Sequence, residues 1–150
     1  ILIEQNKNNQ SPFTITDKRM TRFNITLDEA SNFVLSCIKK MKGKEVFIPK
    51  LPSYDLDTLA KSINPSKKVK IIGIRTGEKL HEELITGADF ANTEEYKDSY
   101  IIYPMGLNNK NKFKIKDYIK NSYNSSDNKN FLSVKDLSNL INAQLKNFNK

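Results

Sequence analysis

The strongest constraint on the fold is a helix whose two ends are both written in the sequence. Thr26-Leu27-Asp28-Glu29 is a capping box: the Thr hydroxyl takes the backbone N–H three residues on, and the Glu carboxylate reaches back to the cap. Leu27, Ala30, Val34, Ile38 and Met41 then recur at three- and four-residue steps, the period of one helical face. Lys39, Lys40 and Lys42 crowd the last turn, where cations suit the helix dipole, and Gly43 closes it. Such a stripe needs a core to lie against, and Cys37, on the same helix, is expected to be a buried, inert thiol.

Short strands and further helices alternate around this element. Val46-Phe47-Ile48 reads as a strand stopped by Pro49, and Pro52 to Asp55 leads into a helix that ends near Asn64-Pro65 and buries Leu56, Leu59 and Ile63. Val69, Ile71, Ile72 and Ile74 make the next strand, and Gly73 and Gly77 bracket a turn. A helix is expected over about Lys79 to Ile85, with His81 on it in an orienting or capping role, and a short strand over Tyr100 to Tyr103. Ser133 with Asp136 caps a final helix carrying Leu137, Leu140, Ile141 and Leu145. This alternation is an α/β pattern with too few strands for a doubly wound sheet. The expected division is a lobe over 1–103, a polar Lys/Asn-rich segment over 104–130 and a terminal helix over 131–150.

Charge narrows the choice of partner. The formal net charge is +8, but nine Lys against three Asp between Pro104 and Lys150 supply +6 of it. The lobe itself is nearly neutral, so nucleic acid is not the expected partner despite a pI of about 9.5. No apolar run approaches the roughly 20 residues that cross a bilayer, and a cytoplasmic setting is expected. One Cys and one His build neither a disulfide nor a recognisable zinc site.

The five glycines stand apart at 43, 73, 77, 87 and 106, so neither a dinucleotide-binding fingerprint nor a P-loop occurs. No G-x-S-x-G elbow accompanies the Ser and His residues. What remains is an arginine on each of two loops, Arg22 in Met20-Thr21-Arg22-Phe23 and Arg75 in Gly73-Ile74-Arg75-Thr76-Gly77-Glu78. A guanidinium fork matches phosphate oxygens, and a carboxylate three residues further on accepts the two hydroxyls of a ribose. The plainer readings are an ion pair of Arg22 with Asp17 or Asp28, and a local Arg75–Glu78 pair.

These segments resemble the C-terminal half of the inverting UDP-N-acetylglucosamine 4,6-dehydratases, extended short-chain dehydrogenase/reductases that begin routes to sugars such as pseudaminic acid. The likeness lies in Thr14 to Phe23, Ile25 to Ala30, Glu45 to Ser53 and Ile72 to Glu83, in that order, and resumes at Tyr123 to Asn128 and Phe131 to Ser133. Asn24 departs from the usual Trp and Thr76 from the usual Pro, and Asn108 to Lys120 is unlike the family.

The resemblance implies a small C-terminal substrate-binding lobe whose Rossmann domain lies outside this chain. That domain would bind NADP, and the chain alone would be inactive. It starts at Ile1 with no Met, and an upstream portion is expected. The implied ligand is UDP-N-acetylglucosamine or a related UDP-sugar, in an enzyme that is a homo-oligomer when complete. The resemblance places Arg22 near the diphosphate, Arg75 on phosphate or ribose oxygen, and Glu78 on the ribose hydroxyls, while Asn124, Ser125, Ser126 and Asp127 would cap the nucleotide sugar. The alternatives are the equivalent lobe of a UDP-sugar epimerase or of a C5-retaining dehydratase, and a non-catalytic basic binding or assembly module.

Overall fold

The computed structural model describes residues 1–8, 11–104 and 122–148. Most of the polar Lys/Asn-rich segment expected over 104–130, including Asn108 to Lys120, lies outside the described residues. The first helix, α1 (Leu2–Lys7), leads to β1 (Phe13–Ile15) and β2 (Thr21–Phe23). Then come α2 (Leu27–Ile38), β3 (Val46–Pro49), β4 (Ser53–Asp55), α3 (Leu56–Ile63) and β5 (Val69–Ile71). The chain continues through β6 (Glu83–Ile85), α4 (Gly87–Phe90), β7 (Thr93–Glu95), β8 (Ser99–Ile102), β9 (Tyr123–Asn124) and α5 (Val134–Phe148).

The strands form small local sheets rather than one large one. β1 pairs in parallel with β5, β2 antiparallel with β4, and β6 antiparallel with β9, while β3, β8 and β7 make a three-stranded antiparallel sheet in that order. Ile48, Ile85, Tyr100 and Tyr123 form the buried core, with Phe23, Phe90 and Ile102 against it. The Tyr123 ring lies 4.9 Å from Phe23 and 5.0 Å from Tyr100 in tilted packing, the favoured arrangement for aromatic quadrupoles. At the other end α3 packs on α5, where Leu137 is buried, and on α1 and β1. Phe13 and Met20 are also fully buried.

The caps behave as their side chains dictate. The Thr26 hydroxyl accepts the Glu29 N–H at 3.2 Å, and the Glu29 carboxylate accepts the Thr26 N–H at 2.8 Å. Asp55 caps α3 by accepting the Thr58 N–H at 2.7 Å, and Ser133 with Asp136 closes the start of α5.

Three expectations need correction. α2 ends at Ile38, short of Gly43, and no residue of it is buried. Its stripe does not face a core, and Cys37 is only partly buried. Leu56, Leu59 and Ile63 are also only partly covered, and the residues that α3 buries are Ala60 and Ser62. The helix expected over Lys79 to Ile85 is absent: a turn at Gly77, with φ of 82°, is followed by a bend at Leu80 and His81 and then by β6. Tertiary bonds hold the backbone that such a helix would use. The Leu80 carbonyl accepts the Thr21 N–H at 3.1 Å, and the Glu82 carbonyl accepts the Ser125 N–H at 2.8 Å. His81 is therefore on no helix.

One surface feature gives a pH prediction. Arg19 clasps Asp17 with Nη2 at 2.7 Å and Nε at 3.0 Å, and its backbone N–H adds a bond of 2.8 Å. The guanidinium bonds first, and the backbone bond second, lower the Asp17 carboxyl from 3.8 to about 2. A depressed folded-state pKa stabilises the fold above the unfolded value and loses that effect as pH falls, here between 3.8 and about 2. An NMR titration should place the Asp17 midpoint near 2, and Arg19→Ala should raise it only part of the way toward the free value of about 3.9, because the backbone N–H bond from residue 19 remains. A midpoint unmoved by Arg19→Ala would assign the depression to another group.

Candidate functional site

Arg22 sits on β2 opposite Tyr54 of β4. Alternation along this short strand sends Thr21 and Arg22 to opposite faces, and the two side chains have different roles. Arg22 Nη1 donates to the Thr21 carbonyl at 2.7 Å and to the Leu80 carbonyl at 3.2 Å. Its guanidinium also lies 3.8 Å from a Glu78 oxygen and 3.7 Å from a Glu82 oxygen. The plainer reading, an ion pair of Arg22 with Asp17 or Asp28, does not hold: Asp17 is held by Arg19, and the two glutamates reach Arg22. At these separations the carboxylates offset the guanidinium charge without closing a bidentate clamp on it.

Glu78 is the meeting point of the cluster. It accepts the Arg75 backbone N–H at 3.3 Å and the Thr16 hydroxyl at 3.5 Å, while its own N–H donates to the Arg75 carbonyl at 3.0 Å. The Arg75–Glu78 contact is therefore a backbone turn rather than a side-chain pair. The Arg75 side chain is exposed, and no ion pair forms on its guanidinium among the described residues.

Thr21 forms the other half of the site. Its hydroxyl lies 2.8 Å from His81 Nδ1 and 2.7 Å from the Ser125 hydroxyl. The Ser125 hydroxyl accepts the Glu82 N–H at 2.9 Å, and the Glu82 carboxylate accepts the Phe23 N–H at 2.8 Å. Segments around residues 21, 81 and 125, remote in sequence, are thus stitched into one polar network. Thr21 and Ser125 are buried, so satisfied hydroxyls are what make the network tolerable. Burial, and then the Glu82 charge, raise the pKa of the adjacent Tyr54 phenol, while Arg22 opposes them.

The loop at 124–127 is built on Asn124. Its Oδ1 accepts the N–H groups of Ser126 and Asp127 and the Ser126 hydroxyl, a local Asx arrangement. Its Nδ2 donates to Ser122 Oγ and Asp127 Oδ2. Ser125 points inward with no exposed surface, Ser126 is half-buried and Asp127 exposed. The structure thus brings Arg22, Arg75 and Glu78 together, and joins the 124–127 loop to them through Ser125, which bonds both Thr21 and the Glu82 backbone, and through the pairing of Asn124 with Glu83. Thr16, Thr21, Tyr54 and Glu82 were not singled out from sequence. Arg22 was expected on a loop, and the structure instead puts it on β2, whose alternation turns Thr21 to the other face.

Among the described residues, no group of three or more His, Cys, Asp or Glu could hold a metal ion, and no helix is long and apolar enough to cross a membrane.

Comparison with known proteins places this geometry in context. The model of the polysaccharide biosynthesis protein family matches residues 1–104. A UDP-N-acetylglucosamine 4,6-dehydratase (inverting) of Campylobacter jejuni is 42% identical over 141 residues, covering 85% of this chain and 41% of that protein. A UDP-glucose 4-epimerase of Rickettsia canadensis is 34% identical over 93 residues, covering 59% of this chain and 27% of that protein. The X-ray structure of Pen from Bacillus thuringiensis superposes with a TM-score of 0.77 at 33% identity, over 95% of this chain and 43% of Pen. The chain spans about two fifths of the length of the dehydratase and of Pen.

Proposed function

The chain belongs to the polysaccharide biosynthesis protein family, and from that premise we propose that it is the UDP-sugar-binding part of an inverting UDP-N-acetylglucosamine 4,6-dehydratase. The reading is supported most by one observation: the Arg75 backbone N–H holds the Glu78 carboxylate, which Arg22 also approaches at 3.8 Å, while the Arg75 side chain itself is exposed. Arg75 is the phosphate ligand, since its fork is unspent. Arg22, engaged by two carbonyls and two carboxylates, holds Glu78 and Glu82 in place and turns toward the diphosphate when ligand arrives. Glu78 accepts the ribose hydroxyls. Ser125 positions the 124–127 loop from below, and Asn124, Ser126 and Asp127 cap the nucleotide sugar.

NADP, in this reading, supplies hydride chemistry from the rest of the enzyme. The isolated glycines of this chain make no cradle for its pyrophosphate, so no step of that chemistry falls to these residues. The chain alone is inactive, and the complete enzyme works as a homo-oligomer in the cytoplasm on a route to a sugar such as pseudaminic acid. The Rickettsia match favours, second, the equivalent lobe of a UDP-sugar epimerase, which would grip the same UDP.

Equilibrium dialysis of the chain against UDP tests the site. The chain should bind UDP more tightly than uridine, and Arg75→Ala should weaken UDP binding about tenfold, the loss of one charge-assisted contact. Unchanged affinity in Arg75→Ala would remove the phosphate assignment. Failure of the intact chain to bind UDP would remove the binding role itself.

A further inference from the structure

Three side chains from remote segments meet in a run of hydrogen bonds whose direction the structure fixes. The Ser125 hydroxyl has no exposed surface, and it lies 2.9 Å from the Glu82 N–H and 2.7 Å from the Thr21 hydroxyl. The Glu82 amide only donates, so the Ser125 hydrogen has one acceptor among the described residues, Thr21 Oγ1. Thr21 Oγ1 receives that hydrogen, and its own hydrogen is left with His81 Nδ1 at 2.8 Å. A proton on Nδ1 would aim two hydrogens at this one contact. Thr21, 7% exposed, would then hold a hydroxyl hydrogen without an acceptor among the described residues, an arrangement that buried hydroxyls seldom keep.

The neutral His81 ring therefore carries its proton on Nε2, and its Nδ1 lone pair ends a one-way run from the Glu82 N–H through Ser125 and Thr21. That run holds the frame of the candidate site. The residues on either side of His81 clamp β2: the Leu80 carbonyl accepts the Thr21 N–H and Arg22 Nη1, and the Glu82 carboxylate accepts the Phe23 N–H and faces Arg22 Nε at 3.7 Å. His81 itself holds the Thr21 hydroxyl, on the opposite face of β2 from Arg22. The Ser125 N–H closes the circuit on the Glu82 carbonyl at 2.8 Å.

We propose that His81 is a positioning residue of the nucleotide-sugar site: as the Nε2–H tautomer it is the terminal acceptor that sets the direction of the Ser125–Thr21 hydroxyl run, and so fixes the 124–127 loop and Glu82 relative to Arg22. Its part in ligand binding rests on the reading of this cluster as the UDP site, whereas the proton positions do not.

Two-bond nitrogen–proton NMR correlations on the isotope-labelled chain, at about pH 8.5 where a free histidine is neutral, read the tautomer directly. A single species with a bare Nδ1 and a protonated Nε2 is expected, and a proton on Nδ1 or a mixture of the two tautomers would overturn the proposal. Substitution then tests the acceptor. Asn carries its oxygen one bond beyond Cγ, where His carries Nδ1, whereas Gln sets its amide near the place of Nε2. Amide exchange of Glu82 is the readout, with the Thr58 amide, held by Asp55 at the start of α3, as the internal reference for any general loss of structure. His81→Leu and His81→Gln should speed Glu82 exchange about tenfold relative to Thr58, and His81→Asn should restore most of the protection. Equal exchange in the three variants, or rescue by Gln in place of Asn, would overturn the proposal. UDP affinity should follow the same order, and an affinity indifferent to all three variants would refute the positioning role. The tautomer and exchange readouts need no UDP, so a chain that failed to bind UDP would remove the site reading while these two still decided the proton positions.

Discussion

Tyr123→Ala is expected to destabilise the chain by about 3–5 kcal/mol in urea unfolding, the usual cost of deleting a large buried aromatic side chain. The ring lies between Phe23 and Tyr100 and is 6% exposed, and it contributes to the core from a segment remote in sequence from both. Its hydroxyl accepts the Leu51 N–H at 2.8 Å and donates to the Leu51 carbonyl at 3.1 Å. That carbonyl keeps a second donor, Asn128 Nδ2 at 2.6 Å. Tyr123→Phe therefore strands only the Leu51 N–H and should cost about 1–3 kcal/mol. The difference between the two variants measures the ring. Equal losses would mean that the hydroxyl, and not aromatic packing, secures β9 to the core.

Ser125→Ala should cost about 1–3 kcal/mol of stability and also weaken UDP binding, although the side chain has no exposed surface. The substitution strands the Glu82 N–H and removes one of the two partners of the Thr21 hydroxyl. Glu82 braces both Phe23 and Arg22, so the effect reaches the arginine cluster through the backbone. Thr21→Val breaks the same network from the other side, and the double variant should show a coupling of about 0.5–3 kcal/mol. Ser126→Ala is the contrasting case: among the described residues its hydroxyl bonds only within the loop, so stability should change by no more than about 0.5 kcal/mol. A Ser125→Ala chain of full stability that had lost UDP would make Ser125 a direct ligand contact and refute its positioning role.

Local chemistry was legible where it is local. The capping boxes at Thr26 and Ser133, the strand stopped by Pro49 and the turn at Gly77 each depend on residues within a few positions of one another. The contrast is the run from Lys79 to Ile85. Its residues suit a helix, but the carbonyls of Leu80 and Glu82 are taken by Thr21 and Ser125, and bonds to partners so remote in sequence leave no period to read. The arginines of the candidate site were visible as residue types, but only Arg75 lies on a loop as expected, since Arg22 is in β2. Their difference in state was not visible, because it depends on which carboxylates fold back onto Arg22.

The sequence by itself determined the α/β alternation, the helix caps and the family, since these follow from neighbouring side chains and from motif order. It also determined that α2 carries an apolar stripe, but not where that stripe faces. Only the tertiary structure decided that the stripe is bare, that Ser125 is inside, and that Arg22 is engaged while the Arg75 side chain is exposed. The physical reason is common to all three. Burial and ion pairing are properties of which segments meet, and the meetings of residues 21, 81 and 125 are made by sheet pairing and hydrogen bonds between chain segments that have no sequence proximity.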